Sequence, residues 1–226
     1  MGGDDDRNNA VVQCKRCGTC CRQGGPALHL DDLPLIEKKL LSFDQLVTIR
    51  LGEPAYDPLS GKVEPSRFEF IKIKGEGNSW SCLFFNQADN GCSIYRTRPL
   101  ECRLLFCRDT GPLTDLIGKN LLSRQTLLPE DDPVLTLLER HEKECPCLQV
   151  DKLLTDAPEI NEDIIRQLNE LVARDLAVRD VFLRTFPARH AEELFFFGRP
   201  LFLVLAPYGF RLVENGSGVS LEQVSS

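Results

Sequence analysis

At 226 residues and 42% hydrophobic side chains, the chain is long enough for one domain with an appended subdomain around a real core. A net charge of -7 and a sequence pI near 5.1 argue against general attraction to a nucleic-acid backbone. Residues 1–9 are acidic and polar, unlike a secretory leader, and the most apolar run, residues 201–206, falls far short of the roughly 20 residues that span a bilayer; a soluble, cytoplasmic protein without membrane contact is expected.

In chain order, residues 1–12 read as a flexible lead-in. A cysteine-bearing loop follows and ends at Gly24-Gly25-Pro26. Asp31-Asp32 is expected to cap a helix over 33–41, with Pro34 in its first turn. Ser42 or Asp44 starts a second short helix that ends near Gly52, and 53–65, with Pro54, Pro58, Gly61 and Pro65, reads as loop. Residues 68–74 partly alternate apolar and polar side chains and predict a strand. Two short strands, 81–85 and 92–95, are expected as a hairpin carrying Cys82 and Cys92. Residues 99–106 predict one or two helical turns, and 133–144 a helix before Cys145-Pro146-Cys147. The clearest helix is 161–185, where Ile164, Ile165, Leu168, Leu171, Val172, Leu176 and Val181 recur at helical spacing. Residues 190–196 predict a further helix. Residues 201–206 and 210–213, flanking Pro207-Tyr208-Gly209, predict a terminal hairpin, followed by a Gly- and Ser-rich disordered tail. The fold class is α+β: an irregular cysteine-rich metal-binding half with short strands, packed on α-helices, with a C-terminal β-hairpin. The expected division is a flexible N-terminus (1–12), a cysteine-cluster metal-binding domain (13–150), a helical extension ending in the hairpin (151–214) and the tail (215–226).

The chemistry lies in the ten cysteines. Cys14, Cys17, Cys20 and Cys21 form a C-x-x-C-x-x-C-C cluster; Cys82, Cys92, Cys102 and Cys107 follow at short intervals, and Cys145 and Cys147 end the series. Thiolate sulfur is the preferred ligand of zinc and of iron–sulfur clusters, and close spacing lets one short loop present several ligands. Disulfides fit poorly, because nothing suggests export and the chain is too large to need staples. The run Cys14-Cys17-Cys20 has the spacing of a bacterial ferredoxin segment, whose remote Cys-Pro has a counterpart in Cys145-Pro146. Adjacent Cys20 and Cys21 are not expected to bind one ion equally well. Four thiolates around Zn²⁺ carry a charge of -2, so Lys15, Arg16, Arg22, Arg96, Arg98, Arg103 and Arg108 are candidate counter-charges.

The combined pattern resembles the YkgJ-type cysteine-cluster family, described as a zinc- or iron-chelating domain. C-x-x-C-x-x-C-C is followed by Cys82-Leu83-Phe84, Cys92-Ser93-Ile94-Tyr95, Arg98-Pro99-Leu100-Glu101-Cys102-Arg103 and Cys107, a little under half of the chain. The resemblance implies eight metal ligands: Cys14, Cys17, Cys20, Cys21, Cys82, Cys92, Cys102 and Cys107. Cys145 and Cys147 lie outside it. The implied cofactor is zinc or a [4Fe–4S] cluster. One branch of the family resembles flagellin lysine N-methylase, which brings in an iron–sulfur-dependent protein-modifying enzyme with a protein substrate. Against it, the chain has no Gly-rich strand-to-helix loop for S-adenosylmethionine and lacks C-x-x-x-C-x-x-C. A metal-dependent interaction module with a protein partner is the third reading.

The remaining candidates have plainer explanations. His141 reads as a solvent-facing helix residue, His29 is open between ligand and structural roles, and His190 is remote. Tyr95 reads as packing with its hydroxyl hydrogen-bonded, Phe195-Phe196-Phe197 as core, and Trp80 as a shield between Cys82 and water. No hydrolytic triad can be built.

Overall fold

The computed structural model describes residues 16–77, 79–155, 159–216 and 218–224. The expected lead-in and Cys14 lie outside the described residues. The elements run α1 (Thr19–Arg22), α2 (Leu33–Glu37), β1 (Leu46–Ile49), β2 (Pro54–Asp57), β3 (Lys62–Pro65), β4 (Phe70–Ile73), β5 (Phe85–Asn86), β6 (Gly91–Cys92), α3 (Leu100–Leu104), α4 (Gly111–Thr114), α5 (Arg124–Leu127), α6 (Leu135–Glu144), α7 (Cys147–Thr155), α8 (Glu162–Thr185), α9 (Glu193–Phe197), α10 (Leu201–Leu205), β7 (Phe210–Asn215) and β8 (Gly218–Gln223). The strands pair as four antiparallel two-stranded ribbons, β1–β4, β2–β3, β5–β6 and β7–β8. The class is α+β with a C-terminal hairpin, as expected.

Several segments differ from expectation, among them the helix expected over 33–41, which spans only Leu33–Glu37. The second short helix is a single 3-10 turn at Phe43–Gln45 leading into β1. Leu46, Val47, Thr48 and Ile49 are all buried, and β-branched side chains fit a strand covered on both faces better than a short helix. The expected loop over 53–65 contains the β2–β3 hairpin. Its two prolines, Pro54 and Pro65, stand opposite each other at the open end, where the missing N–H costs least.

The terminal hairpin lies later in the chain than expected. Leu201–Leu205 is a helix, not its first strand: Leu201, Val204 and Leu205 bury one side against α8, and the Leu201 amide donates to Asp175 Oδ2 at 2.9 Å. The second strand, β8, comes from the Gly- and Ser-rich stretch expected as tail, where buried Leu221 donates its amide to Asn169 Oδ1 at 2.7 Å.

α8 begins at Asn161, whose side chain accepts from the Ile164 amide at 3.0 Å, a standard N-cap. Its buried stripe is Ile164, Leu168, Leu171, Val172, Asp175, Val178, Arg179 and Phe182. The stripe serves two cores. Its C-terminal end, Val178 and Phe182, joins Leu28, Leu46, Ile71, Ile73, Phe85 and Phe195-Phe196-Phe197. Its N-terminal end joins Cys145, Cys147, Val150, Leu201, Leu205, Phe210 and Leu221. The three phenylalanines are wholly buried, as expected of core.

α9 has only five residues, so its last carbonyls lack helical partners. Buried donors take them: Thr48 Oγ1 binds Phe195 O at 2.5 Å, Arg124 Nη1 binds Phe196 O at 2.5 Å, and Arg179 binds Phe197 O at 3.1 Å and Gly198 O at 3.2 Å. Gly198 has φ +65°, and a Cβ there would stand 2.7 Å from Thr48 O, so only glycine lets the chain pass this close to β1.

Candidate metal centre

The first cysteine segment enters α1 through Gly18, at φ +75°. A Cβ on Gly18 would fall 2.4 Å from Phe85 Cζ, so glycine between Cys17 and Cys20 is what lets this turn sit on the β5–β6 ribbon. Arg22 then locks it: Nη1 donates to Cys17 O at 3.0 Å, Nη2 to Asn90 Oδ1 at 2.7 Å, and the guanidinium covers the Phe85 ring at 4.9 Å. The Cys82 amide donates to Cys21 O at 2.7 Å. Cys82 precedes the ribbon, held by a bridge to Gly75, and Cys92 lies in β6 opposite Phe85. The expected hairpin is therefore shorter than predicted, with only Cys92 inside it.

Five thiols are brought together from these segments. Cys20 Sγ and Cys21 Sγ stand 3.9 Å apart. Burial, then the charges of Cys20, Cys82 and Cys92, push Cys21 up to about 12. Burial raises Cys82, with Cys92 and Cys20 adding to it, and burial raises Cys102, reinforced by Cys82, Cys21, Cys20 and Cys92. Such mutual repulsion is what a bound cation reverses, since a coordinating thiol is deprotonated outright. Cys17 differs: it is exposed, and its hydrogen bonding to Thr19, with Sγ 3.3 Å from Oγ1, lowers its thiol pKa. Cys107 is exposed and does not figure among these neighbours.

The donor set fits a thiophilic metal. All nine described cysteines are free thiols. The adjacent pair also meets a geometric test, because thiolates about 2.3 Å from one tetrahedral ion stand about 3.8 Å apart. Adjacency thus does not turn Cys20 and Cys21 away from each other. Among the described residues, no three of His, Cys, Asp and Glu are arranged to hold one ion. What is preformed is a gathering of thiols rather than a closed shell.

Of the expected counter-charges, Arg22 adds to Thr19 in lowering the Cys17 pKa, Lys15 lies outside the described residues, and others turn elsewhere. Arg16 and Arg98 lie over the Tyr95 ring, at 4.3 and 3.8 Å from its centroid, and Arg103 lies 3.9 Å from Asp32. The cation whose charge lowers Cys82 is Lys72 on β4. Its neighbours Ile71 and Ile73 face the core, so alternation turns Lys72 toward the cysteine loop, where Nζ lies 3.4 Å from the Cβ position of Gly24. This residue was missed because it lies ten positions before the nearest cysteine; the signal was a lysine inside an apolar strand. Trp80 does not shield the site from water. It is 61% exposed, and its ring faces the Arg199 guanidinium at 5.2 Å.

Helix α3, which carries Cys102, is anchored from the loop after α1. Asp32 does not cap α2 with its side chain; it caps α3 across the fold, Oδ1 accepting from the Leu100 amide at 2.8 Å and Oδ2 from the His29 amide at 3.1 Å. Glu101 Oε2 accepts from the Ala27 amide at 2.8 Å, and Oε1 lies 3.3 Å from His29 Nε2. His29 Nδ1 lies 2.7 Å from Lys119 O. His29 is therefore a buried structural residue. Burial opposes its charge, but the bonds to Glu101 and Lys119 outweigh it and raise its pKa above 6.5. Its contribution is fully present below pH 6.5 and is lost as pH rises through the raised value. We expect the stability gap between wild type and His29→Gln, measured by urea unfolding, to shrink as pH rises above 6.5; a constant gap would exclude this role.

Cys145 and Cys147 do not join the cluster. Both are buried in the second core, and burial pushes each thiol up to about 12, with only Asp, Glu and Arg side chains as charged neighbours. Beside them runs an ionic network invisible to motif reading. Arg50, wholly buried, donates to Glu142 at 3.0 and 2.9 Å and to Cys145 O at 2.6 Å. Arg124 donates to Glu142 at 2.7 Å and to Glu69. His141, expected to face solvent, is wholly buried, with Nε2 2.6 Å from Asp175 Oδ1; Arg179 donates to the same oxygen at 3.1 Å and to Glu193 at 2.9 Å. Burial, with Arg50 and Arg179, lowers the His141 pKa and keeps the ring neutral. The signal was present in α8: Asp175 and Arg179 fall on its apolar stripe, where a charge needs a partner.

Thiols from four chain segments, drawn together on short ribbons and turns, define a cysteine-cluster metal-binding protein. Residues 13–116 match the family model CxxCxxCC, described as "Putative zinc- or iron-chelating domain". Residues 13–116 are thus similar to this family, in line with the resemblance. Comparison with curated proteins and with solved structures returned no match.

Proposed function

We propose that the protein binds one tetrahedral metal ion, zinc or iron, through thiolates drawn from Cys14, Cys17, Cys20, Cys21, Cys82, Cys92, Cys102 and Cys107. The observation that supports this reading is the 3.9 Å approach of Cys20 Sγ and Cys21 Sγ, with Cys82, Cys92 and Cys102 close enough for their charges to act on one another. That spacing favours a single ion over a [4Fe–4S] cluster, whose four thiolates each take a different iron and stand farther apart. The metal joins segments with little core of their own, so its role is structural or chelating. Residues 13–150 form the metal-binding unit in this reading, and 151–214 its helical extension. A reducing compartment such as the cytoplasm suits the free thiols. Among the described residues, no helix is long and apolar enough to cross a membrane.

The test is metal content and a UV–visible spectrum of protein purified without air. Colourless protein with about one zinc per chain is expected. Brown protein containing iron and sulfide would replace this reading with the redox or protein-modifying one, and metal-free protein would overturn both. Cys17→Ser is expected to lower bound metal and melting temperature together. Unchanged metal content and melting would remove the first segment from the site.

A further inference from the structure

We propose that Tyr95 is the positioning residue that docks the N-terminal cysteine segment onto the rest of the metal site, an inference that rests on the metal-binding reading above. Tyr95 opens the 3-10 turn Tyr95–Thr97, three residues after Cys92 and just before Arg98-Pro99, which leads into the Cys102 helix. The Arg98 guanidinium lies 3.8 Å from the ring centroid and that of Arg16 4.3 Å from it. Both guanidiniums thus pack against the one ring. Arg98 belongs to the same segment as Tyr95. Arg16 belongs to the other one, two residues after Cys14 and one before Cys17. The ring therefore joins the segment bearing Cys17 to the segment bearing Cys92 and Cys102 without contributing a ligand.

The other tethers act farther along the first segment: Arg22 on Asn90 and Phe85, and Cys21 O on the Cys82 amide. They hold Cys20 and Cys21. Arg16 on Tyr95 is the tether at the leading end, where Cys17 is exposed. Without it, the cost of ordering that end falls on metal binding and weakens it, the usual effect of lost preorganisation. The interaction is with the π-face of the ring, so it depends on the ring and not on the hydroxyl.

The experiment is zinc competition against a chromophoric chelator, with zinc dissociation rates, for wild type, Tyr95→Ala, Tyr95→Phe, Arg16→Gln and Cys20→Ser. Tyr95→Ala is expected to bind zinc about 5- to 30-fold more weakly, chiefly through faster dissociation, as loss of a ring–cation pair implies. Tyr95→Phe should match wild type. Arg16→Gln, which takes the cation off the ring while leaving Tyr95 in place, should reproduce the loss even where Tyr95→Ala folds poorly. Thermal melting of metal-free Arg16→Gln should equal that of metal-free wild type, which separates docking from a general loss of stability. If Tyr95→Ala and Arg16→Gln bind like wild type, or if Tyr95→Phe is as weak as Tyr95→Ala, the proposal is overturned. If Cys20→Ser loses zinc while these variants keep it, this proposal alone falls. If Cys20→Ser binds like wild type, the metal reading falls and this proposal with it.

Discussion

Glu142→Ala is expected to lose about 3–5 kcal/mol of stability, the cost of removing one partner from a buried ion pair. Glu142 answers two buried guanidiniums, those of Arg50 and Arg124. Burial alone would raise its carboxyl; Arg50 and then Arg124 override that and hold it at about 2. The Glu142 side chain is itself 38% exposed, so water can partly replace it, which places the effect toward the lower end. Arg50 has less relief. Its side chain is wholly buried, and without Glu142 its partner is the Cys145 carbonyl in the turn that opens α7. Glu144→Ala, two residues away, is the control: its bond to Arg140 is an exposed i,i+4 pair, worth about 0.3–0.5 kcal/mol. Urea unfolding of both variants checks the contrast. Equal midpoints would mean the network contributes no more than a surface pair. The folded pKa of Glu142 is depressed, so its contribution is present above pH 4.5 and is lost as pH falls toward 2.

Withdrawing the metal is expected to have the largest effect of all, and a local one. Structural zinc contributes about 10 kcal/mol or more to small domains that depend on it. Here the dependent parts are residues 16–23 and 79–109, built of helices of four and five residues, two-residue strands and turns. The second core contains none of the clustered thiols and keeps its own packing on α8. A strong chelator should therefore expose sites such as Arg96 and Arg103 to trypsin, while the far-UV helical signal of α8 persists. An unchanged cleavage pattern after metal removal would show that the segments hold together by packing alone, and would leave the metal no structural role.

Legibility differed with the length of the signal. α8 was readable nearly to the residue, because 24 residues repeat one period and a capping asparagine marks the start. β1 was not. Three apolar residues and a threonine fit helix and strand alike, and only pairing with β4 decides between them. Leu201–Leu205 failed for the same reason in reverse: an apolar run long enough for a strand became helix because α8 offered a face for Leu201, Val204 and Leu205. In the site, cysteine order and spacing alone pointed to thiolate chemistry. They could not show that Cys145 and Cys147 stand apart, because linear spacing does not record which core a residue enters.

The sequence by itself determined the class of chemistry, the α+β class and the long helix, since each follows from residue types recurring at short intervals. The tertiary structure decided the rest. It set Cys20 beside Cys21 and gathered Cys82, Cys92 and Cys102 around them; it placed Asp32 as the cap of a helix 68 residues away; and it turned His141, Asp175, Arg50 and Glu142 into a buried network. Contacts of that range arise from the packing of several elements at once, and a buried charge differs from an exposed one only by the partner that folding brings to it.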